Sequence, residues 1–344
     1  MSKMKKRPKV LIMVNWREKG EWDLYQALKR HFDVDVFQPY GGGPWAGGRG
    51  WKLSLETCEF YLPLFSCLKR NLFDLVISWS MRFGMVYGLL NRLMPKGSPS
   101  HLLYDFHINV ERCDWAYKQK LTVTRKAIPG IDFFFTTSRR EEALYSTMFH
   151  IPRERIRFFP LAPPRPWLKL PSFPVKDYIF AYGNSDRDYD TLLKASRNLS
   201  TPLVILSQRY SPNRTYENVT FIRQPVYGLN LAKLVGSAGL VVIPLKSSEV
   251  SAGQTAMLET MALGRPIIVT ENPATLEYGK HGESAFFYRA GHVEELRNLL
   301  ESLLKDPDYA ESVGRRARVV HSNLPEIRES LLIQTVQGLC GHEP

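Results

Sequence analysis

Several things are scarce or missing in this chain, and each absence narrows what it can be. Its four cysteines, Cys58, Cys67, Cys113 and Cys340, form no CxxC pair and no His/Cys cluster at metal-ligand spacing. That argues against a disulfide scaffold and a zinc module and for a reduced, cytosolic setting; the sequons at Asn198, Asn213 and Asn218 then read as chance. No apolar run nears the roughly 18 residues that cross a bilayer. The run after the basic start, Val10 to Val14, is shorter than the roughly 7–15 residues of a signal h-region and reads as a first buried strand. Tryptophan is absent from the second half: all seven lie between Trp16 and Trp167. Excess positive charge is missing there too. Residues 1–174 hold 28 Lys+Arg against 15 Asp+Glu, whereas 175–344 hold 18 against 19. The basic half suggests a surface for anionic lipid, an anionic substrate or nucleic acid, or simply a soluble basic face. No RRM, KH, zinc-finger or helix–turn–helix signature supports nucleic acid, and the basic residues are scattered.

What is present is alternation. At 344 residues the chain suffices for two domains with separate cores. The first half carries the β-rich runs "KVLIMVN", "VDVFQPY", "DLVISWS", "HLLYDFH", "DFFFTTS" and "RIRFFPLA". Between them fall helix-like segments at 21–31, 54–70, 83–94, 114–127 and 139–149. Residues 160–176, with six prolines and no periodicity, read as a linker. The pattern then restarts with "DYIFAYG", "PLVILSQ", "VTFIRQPV", "LVVIPLK" and "PIIVTE", with helices near 188–198, 229–237, 252–263 and 292–304. Near-continuous apolar strands separated by helices specify parallel sheets covered on both faces. The fold class is therefore α/β: two doubly wound, Rossmann-like domains facing across a cleft. Ligands of such sheets bind beyond the carboxyl ends of the strands.

One stretch combines core character with charge, "SAGQTAMLETMALGRPIIVT", Ser251 to Thr270. Ser251 and Gln254 have capping-box spacing, and Gly253 lets another group approach the backbone. A helix start at a sheet's carboxyl edge suits a phosphate. Glu259 lies eight residues after Ser251, about 12 Å at 1.5 Å per residue, roughly the span from a diphosphate to a ribose. A carboxylate there can accept both ribose hydroxyls. The other reading is a capped core helix with Glu259 paired to an Arg or Lys. A second turn, "YGNSDRDYD", ends a strand at Gly183 and places Arg187 at the strand's carboxyl end, with Asp188 as N-cap; a plain exposed arginine paired to Asp186 or Asp190 is the alternative.

The segments "YGNSDRDYDTLLKA", "VVIPLKSSEVSAGQTAMLETMALGRPIIVTENPATLEYGKHGESAFFY" and "LLESLLKDPDYAESVGRRAR" resemble the donor half of GT-B glycosyltransferases of the retaining family 4 (group 1) type. The likeness covers nearly all of residues 177–320. Residues 136–162 resemble the end of that family's acceptor domain, and 1–130 match only in strand pattern. The resemblance implies an acceptor-binding domain over 1–170, a nucleotide-sugar domain over 171–325, and a C-terminal helix, 326–344, that packs back on the first domain. It implies Glu259 on the ribose, Arg187 on the departing diphosphate, and His107 of "LLYDFHINVER" approaching the donor sugar, a histidine that a structural role would equally explain. Backbone groups around Ala252, Gly253, Gln254 and Thr255, and the Gly183, Asn184, Ser185 turn, would contact sugar and phosphates. Two positions depart from the pattern. Ser251 stands where the family has its first glutamate, Glu249 being out of register, and Asn184 stands where an arginine is common. Arg209 or Lys246 is then the candidate for the missing charge.

The reaction implied is transfer of a sugar, with retention, from a nucleotide diphosphate sugar to a glycan, lipid-linked or polysaccharide acceptor, without metal or other cofactor. The DxD pairs Asp33/Asp35, Asp188/Asp190 and Asp306/Asp308 read as structural, and Asp105 with Glu111 is a weak candidate pair for double displacement. The alternative is a GT-B-fold protein that binds or isomerises a nucleotide-sugar without transferring it. A loop at 39–51 with aromatic anchors, the apolar "LSLETCEFYLPLFSCLKR" and the basic residues 2–9 point to peripheral contact with an anionic membrane at its cytoplasmic face.

Overall fold

The computed structural model describes residues 7–16, 22–38, 55–94, 99–108, 114–246 and 251–341. The 39–51 loop, residues 2–6 of the basic start, Glu111 and Glu249 lie outside the described residues.

Six strands form a first parallel sheet: β1 (Lys9–Met13), β2 (Asp33–Phe37), β3 (Leu75–Ser78), β4 (Ser100–Leu103), β5 (Phe133–Thr136) and β6 (Ile156–Phe158), in the order β2-β1-β3-β4-β5-β6. A second holds β7 (Lys176–Tyr182), β8 (Leu203–Leu206), β9 (Val219–Ile222), β10 (Ala238–Ile243), β11 (Ile267–Thr270) and β12 (Phe286–Tyr288), in the order β12-β11-β10-β7-β8-β9, also parallel throughout. The unbroken apolar runs explain this: Val10 to Met13, Ile179 to Ala181 and Val241 to Ile243 have no exposed surface, as a sheet covered on both faces requires. β12 is the strand that its sequence hides. "FFY" is too short to read alone and is defined by its pairing with β11.

The helices Asp23–His31, Leu55–Leu68, Met81–Arg92, Trp115–Ala127, Arg139–Phe149, Tyr189–Ala195, Gly228–Gly236 and Val293–Lys305 lie within a few residues of the expected segments. The proline-rich stretch 160–176 differs from expectation. It carries a helical turn, Arg165–Leu168, with Trp167 buried. The Arg318 guanidinium donates to the carbonyls of Leu168 (2.7 Å) and Leu170 (3.2 Å). Phe173 packs on Gly236, where any Cβ would collide with its ring. The prolines stiffen the segment while Trp167 and Phe173 supply burial, so it is an ordered strap and not a loose linker.

The chain divides into two compact units, residues 1–159 with 327–344, and residues 160–326. The division falls after Phe159, ahead of the expected position 170, because the strap packs within the second unit. The helix Leu324–Leu339 crosses to the first unit. Its Leu332 and Val336 are buried with Val10, Ile12, Leu75 and Ile77, and Ser100 Oγ donates to the Leu339 carbonyl at 2.9 Å.

Strand order reverses once in each sheet. In the first it reverses between β1 and β3, in the second between β7 and β10. α/β sheets take ligands at the carboxyl edge beside such a reversal.

Candidate functional site

At the second sheet's reversal, β7 ends in Tyr182 and β10 leads to the helix Gln254–Ala262. The Tyr182 hydroxyl lies 3.0 Å from Glu259 Oε2 and 2.9 Å from the Ala256 carbonyl. One phenolic proton serves both acceptors, and Thr260 Oγ1 also donates to Ala256 O at 2.8 Å. Tyr182 can therefore turn its proton to Glu259 without orphaning the carbonyl. Glu259 is half-buried between buried Leu258 and Thr260. Burial pushes its carboxyl up to about 7, against the opposing pull of the Tyr182 hydrogen bond and the Arg187 charge. It forms no ion pair with Arg187 or any other cation among the described residues, so the expected alternative, a core Arg or Lys partner, does not hold. A carboxylate so buried, with only a neutral donor, is costly to keep charged.

Arg187 occupies the turn after β7, and its backbone bridges to Leu245. Its Nε donates to Tyr182 O at 2.9 Å and Nη1 to Ser185 O at 2.7 Å. No carboxylate pairs with it among the described residues, neither Asp186 nor Asp190. Gly183, at φ +118°, lies directly under the guanidinium, and a Cβ there would stand 2.5 Å from Nη2. Only glycine offers both that backbone conformation and that space. Nε and Nη1 are tied to carbonyls, and the Tyr189 hydroxyl also hydrogen-bonds to the guanidinium, so its orientation is fixed.

The helix start corrects the expected cap. Its N-cap is Gly253, left-handed at φ +85°, with no side-chain cap hydrogen bond, rather than Ser251 in a capping box. A left-handed residue closes this turn against Leu245 and Ile243, which displaces serine from the capping place. The helix thus begins later than expected. Glu259 is five residues beyond Gln254, about 7.5 Å along the axis in place of about 12 Å. Gln254 is buried, Thr255 is exposed, and Ser251 and Ala252 are half-buried. The N–H groups of a helix's first turn have no intrahelical acceptor.

The remaining residues divide. Asn184 is a brace: its Oδ1 accepts from Ser207 Oγ (3.0 Å) and Gln208 N (2.9 Å), and its amide donates to Gln208 Oε1. Ser185 is exposed beside it. Lys246 is exposed, with its backbone on Asp186 O at 3.1 Å. Arg209 is exposed at the exit of β8, its backbone N–H 3.4 Å from Ser207 Oγ. The DxD aspartates have local duties. Asp35 pairs with Lys9, Asp188 caps through Thr191, Asp190 accepts from Tyr210, and Asp306 caps through Tyr309.

His107 belongs to the first unit, just beyond β4. Its Nδ1 lies 2.7 Å from Glu141 Oε1. Glu141 is buried in the first turn of Arg139–Phe149, whose N-cap Ser138 accepts from Glu141 N at 3.1 Å. Sequence reasoning singled out neither Glu141 nor Tyr182. The signal for Glu141 was available: Ser138-x-x-Glu141 has capping-box spacing, although the side chain reaches one residue further back, to Thr137 N (3.1 Å) and Thr137 Oγ1 (2.8 Å). Asp105, near His107, is raised by burial, with the positive charges of His107 and Arg328 opposing.

Three half-buried tryptophans lie at the first sheet's reversal: Trp16 after β1, Trp79 after β3, and Trp22 before Asp23–His31. Their rings meet edge to face with centroids 4.6–5.6 Å apart, and Trp79 stacks on Tyr104 at 4.2 Å. Concentration of tryptophan in the first half was legible in the sequence; its gathering at one edge was not.

Residues 212–320 match the family model "Glycosyl transferases group 1". No curated protein matches the chain. Among solved structures, sucrose-phosphate synthase from Thermosynechococcus elongatus is similar at a TM-score of 0.72 and 18% identity, covering 97% of this chain and 99% of that one. Alr3699/HepE from Anabaena, in complex with UDP and glucose, is similar at a TM-score of 0.68 and 12% identity, covering 96% and 99%. WaaG, a glycosyltransferase involved in lipopolysaccharide biosynthesis, is similar at 0.63 and 15%, covering 94% and 99%. Residues 212–320 are thus identified as a group 1 glycosyltransferase domain, and the two parallel six-stranded sheets share the GT-B fold of these structural neighbours.

Proposed function

We propose that the protein transfers a sugar from a nucleoside diphosphate sugar to a glycan or lipid-linked acceptor, with retention and without a metal ion. The observation that carries this reading is the Tyr182–Glu259–Arg187 cluster beside the Gly253-capped helix, at the reversal of the second sheet. Glu259 takes the ribose hydroxyls. The Arg187 guanidinium charge and the first N–H groups of Gln254–Ala262 take the diphosphate, as a helix N-terminus favours. As the anomeric C–O bond breaks, negative charge grows on the leaving oxygen, and a fixed guanidinium with backbone donors stabilises it without reorganising. The acceptor oxygen bonds to the anomeric carbon on the same face, and its proton passes to the departing diphosphate. The crystals of Alr3699/HepE with UDP and UDP-glucose make uridine nucleotides the first donors to try.

On the acceptor side, Trp16, Trp22 and Trp79 gather half-buried aromatic surface, and a pyranose packs its C–H groups on an aromatic face. The helix Leu55–Leu68 exposes Phe60 (67%), Leu64 (48%) and Leu68 (75%), at spacings that share one face. Lys69 and Arg70 follow it, so the apolar stripe runs beside positive charge, a pattern that suits an anionic bilayer surface. No described helix is long and apolar enough to cross a membrane.

Incubation with UDP-, GDP- and ADP-sugars, following nucleotide release with and without envelope lipids, tests the reading. Acceptor-dependent release that persists in EDTA and yields the donor's anomeric configuration is expected. Strict Mn²⁺ dependence contradicts the metal-free reading, and an inverted product contradicts retention. Asn184, used as a brace where a phosphate-binding arginine is common, favours the second reading, a nucleotide-sugar binder or isomerase; that reading predicts binding with no acceptor-dependent release.

A further inference from the structure

The first unit holds a hydrogen-bond network that donor binding leaves unused. Glu141 is 6% exposed, yet its carboxylate accepts from Thr137 N, Thr137 Oγ1, Tyr145 Oη (3.2 Å) and the imidazole of His107. A carboxylate only accepts, so Nδ1 of His107 carries a proton. The next residue is pinned as well: Ile108 N donates to Tyr145 Oη at 2.9 Å, and Tyr145 Oη lies 3.0 Å from Ile108 O. Glu141 and Tyr145 stand one helical turn apart and grip two consecutive residues leaving β4. The His107 side chain remains 35% exposed, and its Nε2 has no partner among the described residues.

We propose that Glu141 is a positioning residue that fixes the His107 ring in one orientation, with Nδ1–H on its carboxylate, so that Nε2 meets a bound substrate as an N–H group. That the substrate is one of sugar transfer rests on the function proposed above; the Glu141–His107 coupling does not. A histidine with a lone pair at Nε2 would instead act as a base on the acceptor. Charges facing the ring favour the donor form. Burial alone would lower the basicity of His107, but the hydrogen bond and charge of Glu141, with Asp105, outweigh it and raise the ring above its ordinary value, while Lys120 opposes. Of the other groups packed nearby, Tyr145 is held neutral by burial and the Glu141 charge, and Arg328 acts on Asp105.

The test is a ¹H–¹⁵N NMR titration of His107 in the full-length protein without ligand. A midpoint above about 6.5, the unperturbed histidine value, is expected in the wild type, falling by at least one unit, tenfold in proton affinity, in Glu141→Gln. Glu141→Asp should restore part of the shift. Tyr145→Phe, which removes the Ile108 clamp but keeps the charge, should leave the midpoint within about 0.3 unit or raise it; this separates the proposal from a merely structural role. In turnover, Glu141→Gln should lower kcat at least tenfold with KM for the nucleotide-sugar changed less than threefold. A wild-type midpoint at or below the ordinary value, or one unmoved by Glu141→Gln, overturns the inference. Calorimetry with nucleoside diphosphates tests the donor reading separately: no binding there with the titration as expected sinks that reading and leaves this coupling in place.

Discussion

A carboxyl group set among Met257, Leu258 and Met261 would be a defect in an ordinary core helix, and in the proposed function it is the residue on which recognition turns. Burial pushes the Glu259 carboxyl up to about 7 from its ordinary 4.5. A folded-state value raised in this way means that the native state binds the proton more tightly. Its stabilising contribution is full below about pH 4.5 and is lost as pH rises through about 7. The melting temperature of the ligand-free protein, compared with that of Glu259→Gln, should therefore decline between pH 5 and 8; parallel curves would refute this. Tyr182→Phe removes the hydrogen bond that holds the value down, so the decline should shift to higher pH. Gly183→Ala forces a Cβ into the Arg187 guanidinium at a left-handed backbone position, and about 1–3 kcal/mol of stability should be lost in urea titration. At this scale the sequence was half legible. Glu259 and Arg187 stood out because charge interrupts an apolar run or follows a strand. Glu141 and Tyr182 did not, because their importance comes from partners distant in the chain.

At the scale of elements, most strands and helices were readable, since parallel strands buried on both faces must be continuously apolar. The failures are local and have causes. β12 is three residues long and exists through β11. Gly253 takes the cap that spacing assigned to Ser251, because a left-handed turn is required against Leu245. The strap 160–176 looked like a linker because proline content hides order when Trp167 and Phe173 do the packing. The helix Leu55–Leu68 supports a prediction of its own. Flotation with liposomes rich in phosphatidylglycerol should recover the protein at low salt, and Leu64→Glu with Leu68→Glu should reduce recovery at least fivefold; equal recovery would remove the membrane from the account.

At the scale of the molecule, the two-unit α/β architecture followed from alternation that stops at a proline-rich stretch and restarts. The return of the last helix to the first unit is a tertiary fact, fixed by Leu332 and Val336 in the core around Val10 and Leu75. Leu332→Ala should cost about 2–5 kcal/mol, and hydrogen exchange should quicken in β1, β3 and β4 while β7 and β10 stay protected. Uniform loss across both units would contradict that division. The central claim is that Glu259, ionised, holds the ribose of a bound nucleotide. Isothermal titration calorimetry at pH 6 and pH 8, with the tightest binder among UDP, GDP and ADP, tests it most directly. With a carboxyl near 7, wild-type affinity should rise about tenfold more across that interval than that of Glu259→Gln, which shares the ligand's own titration. Equal pH dependence in the two proteins, or undiminished affinity in Glu259→Gln at pH 8, would contradict it.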